Sequence, residues 1–307
     1  MTGSIDYFQR KTSDILISPA YLAVIGDGGN KFTNGASMKN SGFEALLSYD
    51  TKIGEDLKIN LTGNFSLYRN KITYLPKEVI ASYPGNGTDK TILGRPANSF
   101  FGYVTDGIFQ NQSEVDNAAT QPGKGVGRIR YADLNSDGLI DAQDRDFIGN
   151  STPKYMYGFN TSVNWKNFDL SFFFQGINVK VQNEFKTYTD FSSLWTGTNW
   201  GERTMDAWTP QNTGSDIPAL TLVDRNNEGR FSTYFIENGS YLKLRNAQIG
   251  YNFKKLNNLK IQNARLYLQG SNLFMIKSKS YTGPDPEIPN FAFPVPVIGT
   301  IGLNVTF

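Results

Sequence analysis

The sequence predicts an all-β fold, an antiparallel transmembrane β-barrel with long extracellular loops. Three observations lead there. Apolar and polar residues alternate with a period of two along most ordered segments. No amphipathic helix longer than about two turns can be traced. The connections between strands alternate between short and long.

The alternation locates each strand. Leu57, Ile59, Leu61, Phe65 and Leu67 alternate with Lys58, Asn60, Thr62, Asn64 and Ser66. Tyr155, Tyr157, Phe159, Val163 and Trp165 alternate with Met156, Gly158, Asn160, Ser162 and Asn164. Phe168, Leu170, Phe172 and Phe174 form a third apolar series, although Phe173 breaks its polar face. Ile301, Leu303, Val305 and Phe307 form the last. Each pattern gives one apolar and one polar face. Strands are expected near 4–11, 40–50, 57–69, 154–165, 168–178, 240–253, 261–275 and 298–307. Short helices are expected at Ser113–Ala119 and Trp200–Trp208.

Residues 50–56, Lys166–Asn167 and 254–260 read as short turns. Residues 12–39, 70–153, 179–239 and 276–297 read as long connections. Loops this long are uncommon and are usually functional. Short turns at one end and long loops at the other is the outer-membrane barrel pattern. Polar faces such as Asn60, Thr62, Asn64 and Ser66 suit a hydrated lumen, and the opposite faces suit lipid. The alternative is a sheet with one face on a core and one in water. Tyr49, Tyr68, Tyr155, Trp165, Tyr241 and Tyr251 stand near strand ends, as in an interfacial girdle.

Composition excludes much else. The 307 residues contain no Cys and no His, and the net charge is +2. Disulfides, imidazole bases and Cys- or His-ligated metals are ruled out. The balanced charge argues against nucleic acid as a partner. No apolar run reaches the ~20 residues of a transmembrane helix, and residues 1–11 carry no apolar signal-peptide core. No pair of carboxylates stands out for glycoside hydrolysis, so no enzyme is expected.

The sharpest local motif is the acidic stretch 133–144. Asp133, Asn135, Asp137, Asp141 and Asp144 occupy loop positions 1, 3, 5, 9 and 12, with Gly138 at 6. Leu139 at position 7 would offer its backbone carbonyl. Such oxygens suit Ca²⁺, which would stiffen the loop as a structural ion. Neither flank reads as helix: 125–132 reads as extended and Phe147–Pro153 as loop. A metal-free turn rich in Asp and Asn is the alternative.

Trp195, Trp200, Trp208, Tyr188, Phe191 and Arg203 crowd one long connection. They are candidates for contact with cargo or a lid, and the alternative is that they fold the loop onto itself. The Pro-rich stretch 281–296 reads as a rigid closing loop. Gly26-Asp27-Gly28-Gly29 reads as a turn.

A set of ordered blocks then carries a family resemblance: Ser4–Asp14, Asn40–Glu44, Phe101–Phe109, Ile129–Asp141, Ile148–Tyr155, Phe168–Gly176, Tyr241–Asn246, Leu266–Phe274 and the terminal Phe307. Together they resemble the C-terminal portion of SusC/RagA-type TonB-dependent outer-membrane transporters of Bacteroidota. The resemblance implies a barrel of about 22 strands around an N-terminal plug. It implies a SusD-like surface lipoprotein as lid and TonB–ExbB–ExbD as energy source, reached through the N-terminal part. Cargo is expected to be oligosaccharide, with peptide as the alternative. A soluble Ca²⁺-stabilised carbohydrate-binding β-module is the reading from another class. Phe307 matches the aromatic end used in barrel assembly. The strands found amount to about 8–10 of the family's 22. The chain is therefore expected to be a fragment or one piece of a split protein, unable to transport unaided.

Overall fold

A computed structural model of the protein describes residues 1–17, 32–80, 90–191, 197, 199–253 and 261–307. The expected turns at 26–29 and 254–260, and Trp195, lie outside the described residues. Among the described residues fourteen strands follow in order: β1 Thr2–Ile17, β2 Thr33–Ile53, β3 Leu57–Tyr74, β4 Ser99–Tyr103, β5 Thr105–Ile108, β6 Ile129–Tyr131 and β7 Arg145–Asn150. They continue as β8 Tyr155–Trp165, β9 Phe168–Asn178, β10 Lys180–Gln182, β11 Ile236–Asn238, β12 Tyr241–Phe253, β13 Asn263–Lys277 and β14 Ile298–Thr306. Short helices α1 Lys77–Ile80, α2 Gln112–Asn117 and α3 Lys186–Thr189 lie in the connections.

Eight strands form one antiparallel sheet in the order β1-β2-β3-β8-β9-β12-β13-β14. Every neighbour in the sheet follows in chain order once the loop strands are set aside, so it is a simple meander. The turns after β2 and β8 are short, and the connections after β3, β9 and β13 are long. Lys166 takes a left-handed φ of 53° in the two-residue turn between β8 and β9. Within the described residues, β1 and β14 each pair on one side only. These strands by themselves do not close a barrel.

Register explains why the sheet has two unlike faces. Thr51, Ile59, Val163, Leu170, Ile249, Leu268 and Ile301 stand side by side across seven strands. One residue along, Asp50, Asn60, Ser162, Ser171, Gln248, Gln269 and Thr300 form an equally continuous polar row on the opposite face. A one-residue slip would exchange the two sets, so the pattern pins the register. Among the described residues nothing covers the apolar face: Ile301 is 71% exposed and Leu268 55%. The band runs from the Trp165–Phe168–Tyr251 row to the Phe43–Leu67–Tyr155 row. Along the 11 residues of β8, a rise of ~3.3 Å per residue and a tilt near 40° give a height of about 25 Å. That is the thickness a lipid-facing band needs.

The buried core lies in the loops. Ile129, Tyr131, Ile140, Phe191 and Phe235 form one cluster, joined by Tyr103, Ala119 and Tyr234. Ala36, Ile72, Leu75 and Ile92 form another where β2 and β3 meet the loops. Three two-stranded sheets brace this layer: β4 with β7, β5 with β6, and β10 with β11.

Several local expectations change. Arg145–Asn150 is strand β7, so most of the segment expected as loop from Phe147 is paired, with Phe101 opposite Phe147. The helix expected at Ser113–Ala119 is α2, shifted to Gln112–Asn117, where the Asn111 side chain accepts the Glu114 N–H and caps it. Within Trp200–Trp208 only Glu202–Asp206 turns, as a 3₁₀ helix without a side-chain cap hydrogen bond. Ala207 is already extended, because Trp208 swings into the buried layer.

Candidate functional site

The long connections meet at one end of the sheet and form a single polar layer. Two buried carboxylates and a half-buried third organise it.

Glu228 is fully buried. Its carboxylate accepts from Arg128 Nη1 at 2.8 Å and from the Ile129 N–H at 2.8 Å. Beside it, Gln121 Nε2 donates to Asn226 Oδ1 at 2.6 Å. Burial raises the Glu228 pKa, and Arg128 together with the donors from Ile129 and Asn226 opposes the rise. These bonds join the 75–154 connection to the 179–240 connection across about a hundred residues of chain.

Asp190, also fully buried, receives Arg203 Nε at 2.8 Å and the Tyr234 hydroxyl at 2.8 Å. Lys186 lies between Asp190 and Glu237, at 4.0 and 3.6 Å. Burial lowers the Lys186 pKa, and the two carboxylates push it back up. Glu237 in turn accepts from Asn183 at 2.8 Å and from the Thr282 N–H at 3.0 Å. The Pro-rich connection is tied in by this route.

Glu287 reaches from that connection to the polar face of β12. It accepts from Lys243 Nζ at 2.5 Å, Tyr241 Oη at 2.6 Å and Arg245 Nη1 at 2.9 Å. Arg245 Nε also donates to Gln175 at 2.6 Å. A bulge at Arg245 against β9 re-aims the strand here. Burial raises the Glu287 pKa, but the hydrogen bonds from Arg245, Lys243 and Tyr241 outweigh it and hold the carboxyl at about 2.

A cleft of about 430 Å³ opens in this layer. Gln110, Lys186, Ser215, Asp216 and Tyr234 line it, so its wall carries both signs of charge and amide-type donors and acceptors.

The acidic loop folds as a run of tight turns. Asp133 accepts the N–H groups of Ser136 and Gly138, at 2.7 and 2.8 Å. Asp137 accepts from Leu139 at 2.9 Å, and Asp141 from Gln143 at 2.7 Å. Asp144 is fully buried and accepts the Leu134 and Asp141 N–H groups, both at 2.8 Å, which closes the loop on itself. Gly138 has φ 82°, as the turn requires. Among the described residues, no three acidic side chains converge as a metal-holding group. The donor set keeps spare carboxylate lone pairs, the Asn135 amide oxygen and the Leu139 carbonyl, which are the hard oxygens Ca²⁺ takes.

The structure separates the five described aromatic and cationic candidates. Trp208 is buried; its Nε1–H donates to Gln110 at 2.8 Å and its ring packs against Gly127. Phe191 is buried against Tyr234 and Phe235. Arg203 is paired to Asp190. Tyr188 is half-buried, and Trp200 is 42% exposed. Phe307 is exposed at the end of β14. Sequence reasoning missed Glu228, Asp190 and Glu287. A signal existed for the last: Tyr241, Lys243 and Arg245 alternate with Leu242 and Leu244, and two cations two residues apart call for an anion.

An antiparallel meander with an uncovered apolar band, a polar opposite face and long loops at one end defines an outer-membrane β-barrel protein. No protein-family model matches the chain. Among curated proteins it is 32% identical over 294 residues to TonB-dependent receptor P3 of Formosa agariphila, a match covering 92% of this chain and 28% of that protein. It is 27% identical over 318 residues to TonB-dependent receptor SusC of Bacteroides thetaiotaomicron, covering all of this chain and 30% of the relative. Among solved structures, the RagAB peptide transporter matches with a TM-score of 0.72 and 25% identity, covering 93% of this chain and 30% of that one. The chain is a homolog of the SusC/RagA-type TonB-dependent outer-membrane receptors and aligns with part of those larger proteins. It spans about a third of the length of the curated relatives it matches. Its place is the outer membrane, and its relatives bear the names of receptors, not enzymes.

Proposed function

We propose that this chain forms the C-terminal section of a TonB-dependent importer that takes up peptides with a SusD-like surface lipoprotein as lid. The carrying observation is the eight-stranded meander with its 25 Å apolar band, superposable on a transporter described as a peptide importer. The cleft beside Lys186 and Asp216 supports the cargo class, since both charge signs and amide partners suit a peptide backbone and its termini. Oligosaccharide, the cargo first expected from the resemblance, has no comparable support. The remaining strands of the full-length protein close the barrel against the free edges of β1 and β14, because an open edge in lipid leaves backbone groups unpaired. TonB–ExbB–ExbD acts through parts outside this chain. The test is uptake by cells carrying the full-length protein and its lipoprotein, offered labelled oligopeptides and labelled oligosaccharides in parallel. Peptide accumulation that stops without TonB supports the reading; glycan accumulation alone overturns it.

We also propose that the 133–144 loop binds a structural Ca²⁺ through Asp133, Asn135, Asp137, Asp141, Asp144 and the Leu139 carbonyl. The ion would rigidify the loop and take no part in transport chemistry. Calorimetric titration with Ca²⁺ tests it: heat that disappears in Asp137→Ala supports the site, and no heat in the parent protein sinks it.

A further inference from the structure

A patch of uncompensated positive charge lies on the outer face, beyond the apolar band at the long-loop end. Lys11 on β1, Lys39 on β2 and Lys71 on β3 stand directly opposite one another in register. Arg69 lies one row nearer the band, opposite Ser41, and Leu67 of the band lies one row further. Residues 67, 69 and 71 share one face of β3, so the cations continue the lipid-facing side and not the lumen. Like charges directly across strands destabilise a sheet unless an anion joins them. Among the described residues, none of the four takes part in an ion pair. Asp6 and Glu44 pair with each other in register on the opposite face. Asp14 lies beyond the irregularity that ends the Lys11 register. A groove of about 700 Å³ runs beside Lys39, Arg69, Lys71, Lys154 and Tyr155.

The height of the patch decides its partner. At ~3.3 Å per residue and a tilt near 40°, Arg69 sits about 5 Å and Lys71 about 10 Å above the last apolar row. That is the headgroup layer, not the hydrocarbon and not bulk water. Lysine and arginine stems can lie on the apolar band while their heads meet anionic groups there.

We propose that this patch is a binding site for the phosphate groups of outer-leaflet lipid, which hold the β1–β3 wall at a fixed depth. The inference rests on the apolar face being lipid-facing. The test uses the full-length protein extracted from its own outer membrane in mild detergent, with retained phosphate-bearing lipid counted by native mass spectrometry. The parent protein retains such lipid, and the triple variant Lys39→Gln, Arg69→Gln, Lys71→Gln loses it by about tenfold or more. The control Lys52→Gln, Lys58→Gln, a directly opposed pair at the other end of the same strands, keeps it. Equal retention in the triple variant, or equal loss in the control, overturns the proposal. Full displacement by millimolar inorganic phosphate also overturns it, since the site would then select free phosphate. A lipid-soluble photoreactive probe tests the underlying reading separately: labelling at Phe159 keeps it, and its absence there overturns both.

Discussion

The sheet and the loop layer follow opposite rules. In the sheet, large side chains such as Leu268 and Ile301 are exposed, and among the described residues no second layer covers them. In the loops, Phe109 and Ile129 are fully buried, and charged groups such as Glu228 and Asp190 are buried with their partners. A water-soluble protein keeps its core between sheets or helices. Here the core is in the connections, and the sheet has none of its own. The difference teaches that the two regions answer to different surroundings: the strands leave an apolar face uncovered, as a lipid-facing wall does, and the loops build their own interior, as contact with water requires.

The contrast can be broken in four ways, from the largest effect to the smallest. Phe109→Ala removes a fully buried ring and should destabilise the loop layer by about 3–5 kcal/mol. Hydrogen exchange would rise across 99–150 while the sheet amides stay protected. Phe159→Arg, near the middle of the apolar band, should cost about 2–4 kcal/mol in a bilayer, read from unfolding of the vesicle-inserted protein. If the variant is as stable as the parent, that face does not meet lipid.

The third test is acid. Glu287 titrates near 2 in the folded protein against 4.5 ordinarily. Its contribution is complete above about pH 4.5 and is lost as pH falls towards 2, because the released form binds the extra proton. Protease nicking of 278–297 should therefore increase between pH 4.5 and 2, and Glu287→Gln should flatten that dependence. The smallest effect is Asn160→Arg. This residue is exposed on the polar face, and the change should cost under about 0.5 kcal/mol. Matched against Phe159→Arg next to it, a large loss here would overturn the assignment of the two faces.

The two regions were also unequally legible. Strands β8 and β9 run Tyr155–Trp165 and Phe168–Asn178, within a residue of what alternation alone predicts, because a strand's two faces are written every second residue. The strands β2 and β3 extend well beyond their expected ends, since Ala36 and Ile72 are held by the cluster under the loops, not by an alternating pattern. In the candidate site, the aromatic connection was visible as a composition. What each ring does was not: Trp208 meets Gln110, 98 residues away. The turn chemistry of 133–144 could be read from its spacing because Asp133 to Asp144 bond within a dozen residues.

By itself the sequence determined the all-β class, the meander's two-faced strands, the alternation of turn lengths and the absence of thiol and imidazole chemistry. These are local properties, set by residue type and by a period of two. Only the tertiary structure decided that Glu228, Asp190 and Glu287 bind the three connections into one layer, and that four cations of β1–β3 stand together with no ion-pair partner among the described residues. Those depend on register and on contacts between residues far apart in the chain, which no local pattern encodes.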